Sequence, residues 1–160
     1  VSTDPDAPPG TVNDDAYALP APSLQRLTIV PRRFAAARSG ASTRTVRRRG
    51  AGTRVSYRVD MAAQIRFTVQ RVRAGRLRGT GRSARCVAVT RRNRRASPCT
   101  RYVPVRGSFS RSARAGVSSF YFTGRLGGRR LARGPYRLMA TPTANGVSGR
   151  SVTARFRITR

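Results

Sequence analysis

Short runs in which apolar and polar residues alternate cover the chain from residue 24 onward, and they constrain the fold more than any other feature. In residues 54–59, Val55, Tyr57 and Val59 alternate with polar neighbours. Because successive side chains of a β-strand point to opposite faces, a period of two predicts a half-buried strand. The pattern recurs at 27–31, 65–69, 102–109, 120–122, 136–140 and 152–158. About seven short strands separated by Gly- and Ser-rich turns predict an antiparallel β-sandwich.

Helical signals are weak throughout the chain. The segment Arg32–Arg38 contains alanines, but Pro31 and Gly40 flank it, so the sequence predicts one helical turn there at most. The fold class is therefore predicted to be all-β.

The first 22 residues differ from the rest in composition. They hold five of the ten prolines and four of the five acidic residues, and they show no long hydrophobic pattern. We interpret residues 1–22 as a flexible, acidic arm or linker that is extended where proline clusters, and residues 23–160 as the folded domain. The acidic arm could also fold back onto a basic domain.

The charge balance is extreme. All 34 basic residues among the 160 are arginine, whereas only five residues are acidic, which gives a net charge of +29. From residue 26 onward, Asp60 alone opposes 34 arginines, a net charge of +33. Such a domain attracts polyanions over about 8 Å in physiological salt. Many of these arginines occupy outward strand positions, where a solvated sheet exterior also accounts for them.

The residue types that are absent exclude most catalytic chemistry. The chain has no His, Lys, Glu or Trp, so the usual general bases, catalytic triads and His-containing metal sites cannot be assembled. Asp60 stands alone at a predicted strand end, where a turn residue or an arginine partner is expected. We predict that the chain is no enzyme, binds no metal and uses no cofactor.

Cys86 and Cys99 are the only cysteines, 13 positions apart in turn-prone sequence. In an oxidising compartment this spacing predicts one local disulfide, and two buried free thiols are the alternative. The chain begins at Val1, and small and Pro-rich residues follow. This start resembles a mature N-terminus left by a signal peptidase, and a boundary chosen arbitrarily is the alternative. The sequence contains no apolar run of about 18 residues, so it predicts no membrane span. We expect an extracellular or cell-surface location.

The segment between the cysteines is the strongest candidate binding site. Arg91, Arg92, Arg94 and Arg95 lie within five positions, around Asn93. Four guanidinium groups on a disulfide-closed loop predict a positively charged fingertip that clamps phosphate or carboxylate bidentately. An exposed, solvated loop in an arginine-rich protein is the alternative.

A second basic run, Arg47, Arg48 and Arg49, precedes Gly50. Short basic patches of this kind bind nucleic acid or other polyanions with little specificity. We regard it as a secondary candidate.

Exposed aromatic residues would indicate single-stranded nucleic-acid binding, because bases stack on exposed rings in such complexes. Tyr102, beside Arg101 and just beyond Cys99, is the only ring expected to be exposed near the basic loop, where it could stack on a ligand. The remaining candidate rings fall in apolar strand patterns and are predicted to lie in the core: Phe67, Phe109, Phe120, Phe122 and Phe156.

The segment Leu131–Ala140, with sequence LARGPYRLMA, is similar to the Leu-x-Pro-Gly-x-Tyr-x-Leu-x-Ala segment near the end of many bacterial immunoglobulin-like and fibronectin-type domains. In those domains the tyrosine begins the penultimate strand. Residues 24–160 as a whole resemble arginine-rich immunoglobulin-like modules of secreted and surface proteins from high-GC bacteria. Here Gly134 precedes Pro135, the reverse of the usual order. The resemblance implies an immunoglobulin-like β-sandwich, but such modules serve as spacers, stalks and binding units alike.

These observations favour a non-catalytic, extracellular structural or adhesive accessory domain. Its expected partners are anionic cell-envelope polymers, polysaccharide or extracellular DNA, and other domains of a larger secreted protein. The alternative is a cytoplasmic nucleic-acid-binding protein with an arginine-rich surface, although no RRM, KH or helix-turn-helix signature is present.

Overall fold

The computed structural model describes residues 18–160, and strands make up most of them. In chain order the strands are β1 (Leu24–Val30), β2 (Arg33–Phe34), β3 (Thr43–Arg44), β4 (Thr53–Val59), β5 (Ala63–Arg78), β6 (Arg85–Ala88), β7 (Pro98–Pro104), β8 (Phe109–Ala113), β9 (Gly116–Phe122), β10 (Arg125–Leu126), β11 (Arg129–Arg130), β12 (Gly134–Ala144), β13 (Val147–Ser148) and β14 (Val152–Ile158). The only helical element in this part of the chain is a 3-10 turn at Gly81–Ser83. The all-β prediction is confirmed.

The helical turn allowed at Arg32–Arg38 does not form. Arg33 and Phe34 instead make strand β2, with Phe34 buried. The alanines that follow are explained by packing rather than by helix propensity, since Ala36 and Ala37 are both buried.

The strands form two main sheets. Sheet A has the order β1-β4-β9-β3, and sheet B has the order β2-β14-β12-β5, with β6, β7 and β8 paired along the long strand β5 and β13 paired with β12. Strands β10 and β11 form a separate hairpin. The pairs within residues 18–160 are antiparallel except for β2 with β14, which is parallel. Sheet B alone therefore has eight strands and mixed pairing, whereas the sequence predicts an antiparallel sandwich of about seven strands in total.

The core lies between the two sheets. Tyr57 and Phe120 of sheet A contact Phe67 of sheet B, with ring centroids 5.6 Å and 5.0 Å apart, and Phe122 contacts Phe156 at 5.7 Å. The rings therefore interdigitate across the interface, so the sheets pack face to face. The prediction that the five phenylalanines line the core is confirmed, four being buried and Phe109 packing against the same cluster as a partly buried ring.

Tyr136 fixes the start of β12. Its ring is buried and stacks on Phe156 at 5.5 Å, and its hydroxyl donates a hydrogen bond of 2.8 Å to the carbonyl oxygen of Ala132, four residues upstream. The contact ties the connection that precedes β12 to the strand itself.

Strand β5 is much longer than the alternation at 65–69 predicts. Its first half is buried in the core at Ile65, Phe67 and Val69, and its second half leaves the core and pairs with β6 and β7. We call residues 73–101 the tip and the remaining described residues the body. Within the tip, Gly75 is the only buried residue.

The predicted arm falls mostly on residues 1–17, which lie outside the described residues. Residues 18–21 are exposed, whereas Pro22 is buried and its carbonyl oxygen lies against Gly149, where a Cβ would be 1.8 Å from it. Pro22 therefore already belongs to the packed domain.

Candidate polyanion-binding surfaces

The segment between the cysteines is an ordered turn, which we call the fingertip loop (residues 89–97). The Thr90 amide donates to Oδ1 of Asn93 at 2.7 Å, and the Asn93 amide donates to Oγ1 of Thr90 at 3.3 Å. Nδ2 of Asn93 also donates to the carbonyl oxygen of Ala88 at 2.8 Å. Asn93 thus organises the loop from the centre of the arginine cluster, because its amide can both accept and donate.

A disulfide closes this loop, as the sequence predicts. Cys86 of β6 and Cys99 of β7 are bonded, with Cα atoms 5.9 Å apart, and no free cysteine is present in residues 18–160. The bridge passes over Gly75 of β5, where a Cβ would lie 2.5 Å from Cys86 Sγ and 2.6 Å from Arg101 Cγ. Glycine is therefore required at this position by the space that the disulfide and Arg101 occupy.

The loop brings Arg91, Arg92, Arg94 and Arg95 together, and all four side chains are exposed. In residues 18–160 the only acidic side chain is that of Asp60, which accepts a 2.8 Å hydrogen bond from the Ser23 amide. Asp60 lies just before the start of β5, whereas the fingertip loop lies beside the second half of that strand, where the Leu77 amide donates to the Ser97 carbonyl oxygen, about 50 Å of extended strand away. No carboxylate side chain of residues 18–160 therefore lies near the loop to compensate its positive charge.

The secondary basic run lies in the connection between β3 and β4, where Arg47, Arg48 and Arg49 are all exposed. Arg47 lines a cavity of about 600 Å³ with Arg54 and Tyr121. Arg48 lines another, of about 420 Å³, whose other arginines are Arg44 and Arg111. The run is thus part of a larger basic surface beside sheet A.

Tyr102 is half-buried on the outer face of sheet B rather than free beside the loop. The guanidinium carbon of Arg137 lies 3.3 Å from the centroid of its ring, and its hydroxyl accepts a 2.8 Å hydrogen bond from Nη2 of Arg155. Because Arg137 covers one side of the ring, only the other side could stack on an incoming ligand.

Residues on the outer face of sheet B form a basic surface that the sequence reasoning missed. Arg155 and Arg157 line a shallow cavity of about 510 Å³ together with Arg32 and Arg33. Strand alternation marks such residues as outward-facing. The sequence does not contain the pairing register that brings β2, β12 and β14 side by side, so no local signal identifies the cluster.

Other arginines are occupied within the fold. Arg125 donates to the carbonyl oxygens of Gly40 at 2.9 Å, Arg38 at 2.8 Å and Gly128 at 2.6 Å, which fastens the β10–β11 hairpin to the segment before β3. A guanidinium with several carbonyl partners stabilises the fold and has fewer N–H groups left for a ligand. The arginines of the fingertip loop make no such contact among the described residues.

Residues 18–160 contain no cluster of three or more His, Cys, Asp or Glu side chains. Over the same residues no helix is long and apolar enough to span a membrane.

Comparison of the chain with protein-family models, with curated proteins and with solved structures finds no match.

Proposed function

We propose that this chain is a non-catalytic, extracellular accessory domain that binds anionic polymers through its arginine-rich surface, with the fingertip loop as the principal contact. The observation that carries the proposal is the set of four exposed arginines on an ordered, disulfide-closed turn, with no carboxylate side chain of the described residues near it. Fixing the turn beforehand lowers the entropy lost when the guanidinium groups bind an anion.

The proposal includes an immunoglobulin-like sandwich as the scaffold. In that fold, strands A, B and E lie in one sheet and strands C, F and G in the other. Strands β1, β4 and β9 would correspond to the first set, and β5, β12 and β14 to the second. The Tyr136 hydroxyl, bonded four residues upstream at the start of the strand equivalent to F, resembles the tyrosine corner of these domains.

The disulfide supports the extracellular part of the proposal, because such bonds persist in oxidising compartments and are rare in the cytosol. It argues against the cytoplasmic nucleic-acid-binding alternative. Mass spectrometry after alkylation under non-reducing conditions tests this point on protein taken directly from the producing cells. We expect no alkylated cysteine, and alkylation of both Cys86 and Cys99 would favour the cytoplasmic alternative.

The binding proposal is tested with the quadruple variant R91Q/R92Q/R94Q/R95Q, which removes the charge and keeps a polar side chain of similar length. The matched control removes four exposed arginines from other parts of the domain, R58Q/R114Q/R129Q/R150Q. Both variants lose four positive charges, so a difference between them reports position rather than net charge.

Affinities for labelled heparin and for single-stranded DNA are measured by fluorescence anisotropy over a salt series. Affinity falls as salt rises, and each lost ion contact makes the slope of log affinity against log salt less steep by about 0.7 for a flexible strand. We expect the fingertip variant to lower the slope by about 2 to 3, and the control by less than about 1. Equal losses in the two variants would show that the charge acts diffusely and would overturn the role of the loop.

A further inference from the structure

Two pairs of arginines face each other across strands on the outer face of sheet B. Arg137 of β12 lies opposite Arg155 of β14, and Arg157 of β14 lies opposite Arg33 of β2. The buried Phe156 between the two β14 arginines points into the core, so both arginines point outward. Like charges directly opposite each other on a sheet are destabilising. No carboxylate side chain of residues 18–160 is available to offset either pair, because Asp60 is engaged elsewhere.

One of these pairs is held in place by uncharged partners. The Arg137 guanidinium stacks on Tyr102, and its Nε donates a hydrogen bond to the side-chain oxygen of Gln70. Arg155 donates to the Tyr102 hydroxyl at 2.8 Å. A guanidinium has five N–H donors, so each keeps several free for a ligand. The pair is therefore already oriented before any anion arrives.

The second pair extends the basic surface along β14. Arg157 lies two residues from Arg155, about 6.7 Å along the strand. Arg32 joins them at the rim of the shallow 510 Å³ cavity, where Pro135 supplies apolar surface. We call these five residues the outer-face row: Arg32, Arg33, Arg137, Arg155 and Arg157.

We propose that the outer-face row is a second binding site, which takes the sulfate or phosphate groups of an anionic glycan lying along β14. This inference rests on the proposed function and specifies its ligand. A tetrahedral oxyanion that accepts hydrogen bonds from both arginines of a pair offsets their mutual repulsion, and the planar guanidinium suits such bidentate contacts. Sugar rings pack on the apolar surface of Pro135.

The face favours a glycan over a nucleic acid. Single-stranded nucleic acids gain much of their affinity by stacking bases on exposed aromatic rings. Tyr102 is the only aromatic ring on this outer face within the described residues, and Arg137 already covers one side of it. The row thus offers charge and an apolar rim, with little surface for stacking bases.

Two double variants test the row, R137Q/R155Q and R33Q/R157Q, and R58Q/R114Q is the matched control because it also removes two positive charges. The probes are a labelled heparin octasaccharide for sulfate, inorganic polyphosphate of equal charge for phosphate, and a thymidine oligonucleotide of equal charge. For heparin we expect each row pair to weaken binding about tenfold in 0.15 M salt, as loss of one or two charge-assisted hydrogen bonds does. The control should change it less than about threefold.

Comparison of the probes identifies the ligand chemistry. If the row variants weaken the binding of polyphosphate as much as that of heparin, the site recognises the tetrahedral oxyanion from either source. A response confined to heparin assigns the row to sulfated glycans. If the oligonucleotide binds as tightly as heparin and depends equally on the row, the glycan assignment is wrong.

Footprinting provides a second measurement that uses the wild-type protein and so does not depend on the folding of variants. Phenylglyoxal modification of arginines is mapped by mass spectrometry with and without saturating heparin. We expect protection of Arg33, Arg155 and Arg157, and none of Arg58 or Arg114. If heparin protects Arg33, Arg155 and Arg157 no more than it protects Arg58 and Arg114, the row is not a site.

Failure of this inference differs from failure of the proposed function. If the wild-type protein binds none of the probes, the proposed function is wrong. If it binds them and only the fingertip variant loses affinity, the proposed function stands and the outer-face row is not a site.

Discussion

The body and the tip are built from the same kinds of strand, but different interactions hold them together. In the body, rings from both sheets pack at centroid distances of 5 to 6 Å, and Val55, Ile65 and Phe67 have no exposed surface. In the tip, Leu77 is 41% exposed, and the strands are joined by the disulfide and by backbone hydrogen bonds such as Leu77 N–H to the Ser97 oxygen at 2.9 Å.

The difference shows how a chain can present charge far from its core. Burial of apolar surface supplies about 25 cal/mol per Å², and a segment that exposes arginine on a three-stranded extension has little apolar surface to bury. A covalent bond limits the freedom of the unfolded segment without any burial. The tip therefore depends on Cys86 and Cys99, whereas the body depends on its aromatic core.

The largest expected effect comes from the core of the body. Phe67→Ala removes a ring that stacks on Phe109 and contacts Tyr57 and Phe120, and we expect it to lower the free energy of unfolding by about 3 to 5 kcal/mol. Chemical denaturation followed by circular dichroism measures the change.

A substitution of a smaller apolar side chain in the tip provides the comparison. Val87 of β6 is only half-buried, so Val87→Ala should cost less than about 1 kcal/mol. Similar losses for Phe67→Ala and Val87→Ala would contradict the division between body and tip.

Removal of the disulfide comes next in size. In the chain-entropy model a loop of this length contributes about 3 kcal/mol, and we expect C86S/C99S to lose this mainly in the tip. Hydrogen exchange should show faster exchange at Leu77 and in β6, with β4 and β12 unchanged. Equal loss of protection in β4 and β12 would mean that the tip and body unfold as one unit.

The last expected effect is confined to high pH and concerns tyrosine ionisation in the body. Burial raises the pKa of Tyr57 and Tyr136 above the ordinary value of 10.0, although the charges of Arg111 and Arg71 respectively oppose part of the shift. Because the folded state holds these protons more tightly than the unfolded state does, their contribution is complete below pH 10 and is lost as the pH rises through the folded-state pKa.

Urea denaturation between pH 8 and 12 measures this loss, which is at most about 1.4 kcal/mol per pH unit for each tyrosine. Tyr57→Phe should flatten the decline in the stability of the body. An unchanged decline would show that Tyr57 does not contribute. The stability of the tip, measured by hydrogen exchange at Leu77, should change with pH to the same extent in the wild-type protein and in Tyr57→Phe.

Much of the body could be predicted from the sequence, because alternation is a local property of a strand. The runs at 54–59 and 152–158 correspond to β4 and β14. The second half of β5 was missed, since arginine at positions 71, 73, 76 and 78 obscures any alternation of apolar residues. The two-residue strands are set by their partners, as when Arg33 and Phe34 pair with the end of β14.

The candidate sites divide in the same way. Cysteine spacing and local composition predict the fingertip loop, because its disulfide and its arginines lie within one short segment. Tyr102 was expected to be free, but its partners Arg137 and Arg155 come from strands far along the chain. The outer-face row depends likewise on the register between three strands.

By itself the sequence determined the all-β class, the aromatic core, the disulfide and the uncompensated charge of the domain, since each follows from residue identity or from neighbours in the chain. Only the tertiary structure decided which arginines are occupied by carbonyl oxygens, as Arg125 is, and which face each other in pairs, as Arg137 and Arg155 do. The physical reason is that a guanidinium's partners depend on strand register, which is settled by how the two sheets bury their apolar faces.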